Sequence, residues 1–263
     1  MNATFSVACS APPAPGRLAR DAMLELASGQ VHVWVARLEE TDERALNGFR
    51  AILSDAELHR LRRLVSEPLR AEFLLTRGLC RTMLSAYANV RPEEWRFEVN
   101  AFGKPSVAAP PGLQKLRFNL TNARTLAACA VALNVDVGVD VEPLNRYEDQ
   151  LPISPDIFTP EEALSLRATD AADRSRRFCE LWTLKEAYAK AKGTGLSESL
   201  GKVSFVPQGT AFRAHFGTGH EDREENWQFE QIELDRSHLL SLAVHKKSAA
   251  RLRCSYRKTC LGS

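Results

Sequence analysis

Two apolar, strand-like runs sit back to back in the middle of this chain, Leu126–Leu133 and Val137–Val141, with only Asn134-Val135-Asp136 between them. Runs this short and this apolar suit buried strands, and the three polar-flanked residues between them suit a tight turn. The rest of the chain has to be arranged around such strands. Upstream, the β-branched segment Val31–Leu38 predicts a first strand. Residues 55–88 predict a long helical region with an apolar face of Leu61, Leu64, Phe73, Leu74, Leu79, Met83 and Leu84, broken by Pro68. Arg60, Arg62, Arg63, Arg70, Arg77 and Arg81 decorate its remaining surface. Trp95–Val99, a turn at Gly103-Lys104-Pro105 and Leu116–Leu120 add a strand-rich stretch. Downstream, Thr159-Pro160 is a cap followed by proline at the first helical position. A helix is therefore predicted over 160–168, and a second from Arg174 to Lys192, stopping near Gly193 and Gly195. Val203–Val206, Trp227–Leu234 and His238–Val244 read as further strands. The pattern is α+β, with two comparable lobes over 30–135 and 136–247. An N-terminal extension, 1–29, is expected to be disordered, and a basic, unpatterned tail covers 248–263.

The chain has 263 residues, 44% hydrophobic and 26% charged, enough to bury a sizeable core. Its 35 Lys+Arg nearly balance 33 Asp+Glu, so no global field demands nucleic acid as a partner. No apolar run approaches the ~20 residues of a membrane helix. The six cysteines form no CxxC pair and no zinc spacing, and no disulfide is expected. Residues 1–20 lack a basic start and a long apolar stretch, so a reducing, cytoplasmic compartment is expected, while the lack of acid before Asp21 leaves a transit peptide open.

Chemistry concentrates in two segments. In Val137-Gly138-Val139-Asp140-Val141-Glu142-Pro143, strand alternation puts Asp140 and Glu142 on one side and Val139 and Val141 toward the core. Adjacent carboxylates repel unless a cation or donors lie between them. Hard oxygen ligands of this kind suit Mg²⁺ with substrate phosphates completing its shell, or the pair is a solvated acidic strand end. In Leu181-Trp182-Thr183-Leu184-Lys185-Glu186-Ala187-Tyr188-Ala189-Lys190, helical spacing aligns Trp182, Glu186 and Lys190 on one stripe. Glu186 and Lys190 are either a surface pair or, with the tryptophan beside them, a half-buried face able to reach a metal-bound pyrophosphate.

Taken together, the two segments resemble the signature of the Sfp-type 4′-phosphopantetheinyl transferases. Phe102-Gly103-Lys104-Pro105, Phe118-Asn119-Leu120-Thr121-Asn122, Phe158-Thr159-Pro160-Glu161-Glu162 and Gly193-Thr194-Gly195-Leu196 resemble further elements of that family. The resemblance spans roughly 30–246. It implies a pseudo-twofold, pseudo-dimeric monomer that moves phosphopantetheine from coenzyme A to a serine of an acyl or peptidyl carrier protein, releasing adenosine 3′,5′-bisphosphate. The cation would be Mg²⁺ or Mn²⁺. Asp140, Glu142 and Glu186 match the family's metal ligands, placing the metal site in the 136–247 lobe, and Lys190 matches the lysine on the pyrophosphate. Arg60, Lys104, Asn119 and Thr121 fall where the family binds coenzyme A. Glu162 aligns with a glutamate proposed as a base, with a metal-bound water as the alternative. Asn122 departs from the family's histidine, which implies weaker phosphate binding there or compensation by Arg77. Two other readings of the same residues are an inactive coenzyme A or carrier-binding module and a Mg²⁺-dependent phosphohydrolase.

Overall fold

A computed structural model describes residues 23–145, 154–195, 198–208 and 211–259. In chain order its elements are β1 (Gln30–Arg37), α1 (Glu43–Ala51), α2 (Asp55–Arg63), α3 (Glu67–Ala86), β2 (Arg96–Val99), β3 (Pro105–Ala109), β4 (Leu116–Ala123), β5 (Leu126–Leu133), β6 (Val137–Pro143), α4 (Pro160–Ala168), α5 (Ala171–Lys192), β7 (Val203–Gln208), β8 (Ala211–Phe216), β9 (Trp227–Glu233), β10 (His238–His245) and β11 (Arg253–Lys258). Contacts divide the chain into two units. One holds 23–99, 105–134 and 253–259, the other 100–104 and the described part of 135–252. The class is α+β.

In the N-terminal unit, β1 lies between β11 and β5, and β4 closes the sheet in the order β11-β1-β5-β4. Val31–Ala36 are buried at every position, because β1 is paired on both edges and covered. β5 is rich in alanine, a poor strand former, yet is buried from Leu126 to Ala132. Its small side chains admit α3 against the sheet. The long helical region divides at Leu64–Ser66, with Pro68 in the first turn of α3, where a missing N–H costs nothing.

Three expectations change here. Arg81, expected on the surface, is 1% exposed. Its guanidinium donates to Glu57 Oε2 (2.6 and 3.0 Å) and to the carbonyls of Pro92 (2.8 Å) and Trp95 (3.1 Å), because α2 and the Pro92–Trp95 turn close over it. Within the tail, Arg253–Lys258 forms β11, parallel to β1. Backbone pairing, the buried Tyr256 and the packing of Arg257 over the Trp34 ring (5.2 Å) hold that strand. Part of the expected extension is packed: Leu24 and Leu26 lie on the core and Leu24 N donates to Ala86 O (2.7 Å); residues 1–22 lie outside the described residues. β5 and β6, with one short turn between them, belong to different sheets. Cys80, Cys129 and Cys179 are buried and Cys254 is half-buried, while Cys9 and Cys260 lie outside the described residues.

A buried polar cluster in this unit has a measurable consequence. Trp34 Nε1 donates to the Tyr87 hydroxyl (2.6 Å), which lies 2.8 Å from His32 Nδ1. Burial, aided by the Arg257 charge, lowers the His32 pKa to about 4. The unfolded imidazole takes its proton near 6.5, so the stability is fully present above that pH and is lost as pH falls toward 4. The expected loss is on the order of 2 kcal/mol. Urea midpoints of the wild type and His32→Gln, compared between pH 7.5 and 4.5, check it. Equal pH slopes in the two proteins would refute it.

In the C-terminal unit, the sheet runs β6-β10-β9-β8-β7, antiparallel at every pairing. α5 lies along β6 and β10, and Phe158, Phe178, Leu181, Leu184, Tyr188, Trp227 and Phe229 form the core there. Among the described residues no helix is long and apolar enough to cross a membrane.

Candidate active site

β6 is buried along its whole length, Val137 to Pro143. Gly138 explains why a helix can lie directly on it. A Cβ there would meet Ala187 O at 2.0 Å and Ala191 N at 2.4 Å, so the α5 backbone occupies the space of a side chain. At the other end of the strand, Cys179 Sγ lies 3.5 Å from Pro143 O. Helix and strand therefore run antiparallel, Ala191 beside Gly138 and Cys179 beside Pro143. Asp140 and Glu142 share the face of Gly138 by strand alternation. That face looks toward α5, which is why both carboxylates are buried, at 5% and 6% exposure, rather than forming a solvated strand end.

Lys190 Nζ donates to Asp140 Oδ1 at 2.6 Å. Trp182, Glu186 and Lys190 are all half-buried, as one helical stripe requires. Trp182 stacks on Phe178 (5.7 Å between ring centroids, 16° between planes), fixing the N-terminal end of the stripe. Beside Asp140, its β10 register partner Ser241 joins a small buried network: Thr183 Oγ1 lies 2.8 Å from Ser241 Oγ, and Gln231 Nε2 donates to Ser241 Oγ (2.9 Å) and Glu180 O (2.9 Å). Sequence reasoning passed over these three residues, although a lone hydroxyl in the apolar strand His238–Val244 was the available signal. The described residues contain no group of three or more His, Cys, Asp or Glu gathered for a metal ion. What is assembled is a two-carboxylate strand face with a lysine on it.

Glu162 has a different setting. It caps α4 in a reciprocal box with Thr159, whose N–H it accepts at 2.9 Å, and it accepts Phe205 N–H at 3.1 Å. Its Oε2 also lies 2.7 Å from Lys185 Nζ, an ammonium with no exposed surface that donates to Leu200 O (3.0 Å) and Val203 O (2.5 Å). Burial lowers the Lys185 pKa, and Glu162 opposes that shift. These contacts tie α4, α5 and β7 together, the setting of a structural ion pair.

Lys104 donates to Ala191 O, at the end of α5, and its Nζ stands 4.0 Å from Asp136 Oδ1. On β4, alternation sends Asn119 and Thr121, both 4% exposed, to one face and Asn122 to the other. Asn122 is exposed and its amide donates to Glu72 of α3 (2.5 Å). Arg77 lies over the Phe73 ring (5.5 Å) with Glu57 at 4.0 Å, and Arg60 flanks the same ring (5.7 Å).

Residues 136–243, which carry this strand face and helix stripe, match the family model described as the 4′-phosphopantetheinyl transferase superfamily. The chain is 33% identical over 175 residues to the 4′-phosphopantetheinyl transferase HetI of Nostoc sp., covering 66% of this chain and 73% of that protein. It is 32% identical over 212 residues to a phosphopantetheinyl transferase of Thraustochytrium sp. (75% and 72% covered). It is 27% identical over 166 residues to the 4′-phosphopantetheinyl transferase Sfp of Bacillus subtilis (63% and 70% covered). The chain belongs to the 4′-phosphopantetheinyl transferase superfamily and is a transferase.

Proposed function

We propose that this protein transfers 4′-phosphopantetheine from coenzyme A to a serine hydroxyl of an acyl or peptidyl carrier protein, leaving adenosine 3′,5′-bisphosphate. The observation that carries the reading is Lys190 on Asp140 beside Glu142, inside the matched segment. An ammonium has three donors, so Lys190 can keep Asp140 and still reach a phosphate oxygen. Placed on the pyrophosphate, it stabilises charge that grows as the serine oxygen attacks and the nucleotide leaves.

The donor set suits a hard divalent cation, Mg²⁺ or Mn²⁺: buried carboxylate oxygens from Asp140 and Glu142, with Glu186 one turn before Lys190 on α5. Such an ion ordinarily takes one or two protein carboxylates and completes its shell with phosphate and water, which accords with an incomplete protein cluster. When bound, it would screen the pyrophosphate charge and align it for displacement. Glu162 accepts from Lys185 and two backbone N–H groups in a buried setting, which supports a structural role for it over that of the base. For Arg60, Asn119 and Thr121 the coenzyme A-binding role rests on the motif match; Asn122 departs from that motif, and Arg77 is the arginine that would compensate for it. In each unit a long helix packs on an antiparallel sheet segment, which supports the reading of two similar lobes.

The test is the intact mass of apo carrier protein incubated with this protein, coenzyme A and Mg²⁺. One phosphopantetheine is expected to be gained, and Asp140→Ala is expected to slow the gain at least ~100-fold. Coenzyme A cleaved without carrier would instead indicate a hydrolase. Coenzyme A bound, with no gain on any carrier, would indicate a binding module.

A further inference from the structure

The turn Asn100–Lys104 and the glycine pair after α5 are built to fit each other. α5 ends on Gly193 in the left-handed conformation (φ 72°), and Gly195 follows with φ 65°. Both glycines face the turn. A Cβ on Gly193 would meet Lys104 Cδ at 2.8 Å and Asn100 Nδ2 at 2.9 Å, and one on Gly195 would touch Phe102 at 3.4 Å. Asn100 organises the turn from within, its Oδ1 accepting Phe102 N–H (3.0 Å) and Lys104 N–H (2.9 Å). Its Nδ2 donates outward to Gly193 O at 2.7 Å. Lys104 Nζ donates to Ala191 O. A helix leaves its last carbonyls without intrahelical partners and carries partial negative charge at that end. Here an amide and an ammonium satisfy two of them. On the same last turn, Lys192 Nζ donates to Asp222 Oδ2 (2.7 Å) and to Glu221.

We propose that Asn100 and Lys104 are positioning residues. They act on the transfer reaction by clamping the C-terminal turn of α5, and so hold Lys190 on Asp140, rather than by binding a phosphate of coenzyme A. The inference rests on the transferase reading for its kinetic effect and on the contacts above for the clamp itself. Lys104→Met keeps the stem packed on Gly193 and removes the ammonium. Asn100→Asp keeps the turn's acceptor and removes the donor to Gly193 O.

Both variants are to be assayed with coenzyme A and with 3′-dephospho-coenzyme A, alongside hydrogen exchange of the peptide spanning Lys190–Gly193. A clamp predicts that kcat falls about tenfold with either substrate. It also predicts an unchanged ratio of the two KM values and faster exchange of that peptide in both variants. A KM that rises for coenzyme A but not for the dephospho form in Lys104→Met would make Lys104 a phosphate ligand and overturn the proposal. So would unaltered exchange, or an Asn100→Asp protein with wild-type kcat. A wild type that transfers nothing would overturn the transferase reading instead, leaving exchange to decide the clamp.

Discussion

Lys185→Met is expected to cost about 3–5 kcal/mol of stability, among the largest effects of any single substitution away from the reacting groups. The side chain has no exposed surface and holds Glu162, Leu200 O and Val203 O together. Methionine fills similar volume but leaves Glu162 as a buried carboxylate without its counter-charge, along with two carbonyls that lose their donor. Glu162→Gln should cost less, because burial already lowers the Lys185 pKa and the amine can shed its proton when its partner is neutral. The double variant should recover part of the loss, since no charge then stays buried alone. Urea unfolding of the three proteins reads all of this; a Lys185→Met midpoint within error of wild type would refute the structural assignment. The same set decides what Glu162 does in catalysis. As a frame residue, Glu162→Gln transfers within a few-fold of wild type wherever it is folded, whereas loss of a general base costs ~100-fold or more.

Gly138→Ala is expected to impair both stability and transfer. The added methyl would collide with Ala187 O at 2.0 Å and Ala191 N at 2.4 Å, both backbone atoms within a helix, so no side-chain rotation relieves it. α5 has to move off β6, at a cost of about 1–3 kcal/mol or more. The displaced segment carries Lys190 relative to Asp140, and a misplacement near 1 Å can cost ~100-fold in rate. Gly48→Ala is the control: it sits within α1 with open space around it, where alanine should add up to about 1 kcal/mol. Thermal melts and carrier-loading rates of the two variants check the contrast. Equal behaviour would mean that close approach of α5 to β6 is not what Gly138 provides.

Much of the fold was legible because its signals are local. α4 begins at Thr159-Pro160 and α5 ends at Gly193, as the cap chemistry requires. β6, β9 and β10 follow their apolar runs. β8 was also legible: Phe212, Ala214 and Phe216 alternate with exposed Arg213 and His215, a period-two pattern left unread. β11 carries the same kind of trace, Leu252, Cys254 and Tyr256 alternating with Arg253, Ser255 and Arg257, and it too was left unread. That its partner is β1, at the other end of the chain, and that β5 and β6 pair with strands of different sheets, depends on residues distant in sequence, which no local signal names.

At the site, local chemistry supplied the residue types and their spacing: two carboxylates two apart in a strand, and a tryptophan, a glutamate and a lysine four apart in a helix. Periodicity alone determines that each set shares a face. Tertiary structure decided the rest. It placed Lys190 on Asp140, gave Gly138 its purpose, paired Glu162 with Lys185, set Glu72 beside Asn122, and turned Lys104 toward the end of α5. Each of these joins residues tens of positions apart. Strand and helix periods fix directions only within one element, and which elements meet depends on how the whole core packs.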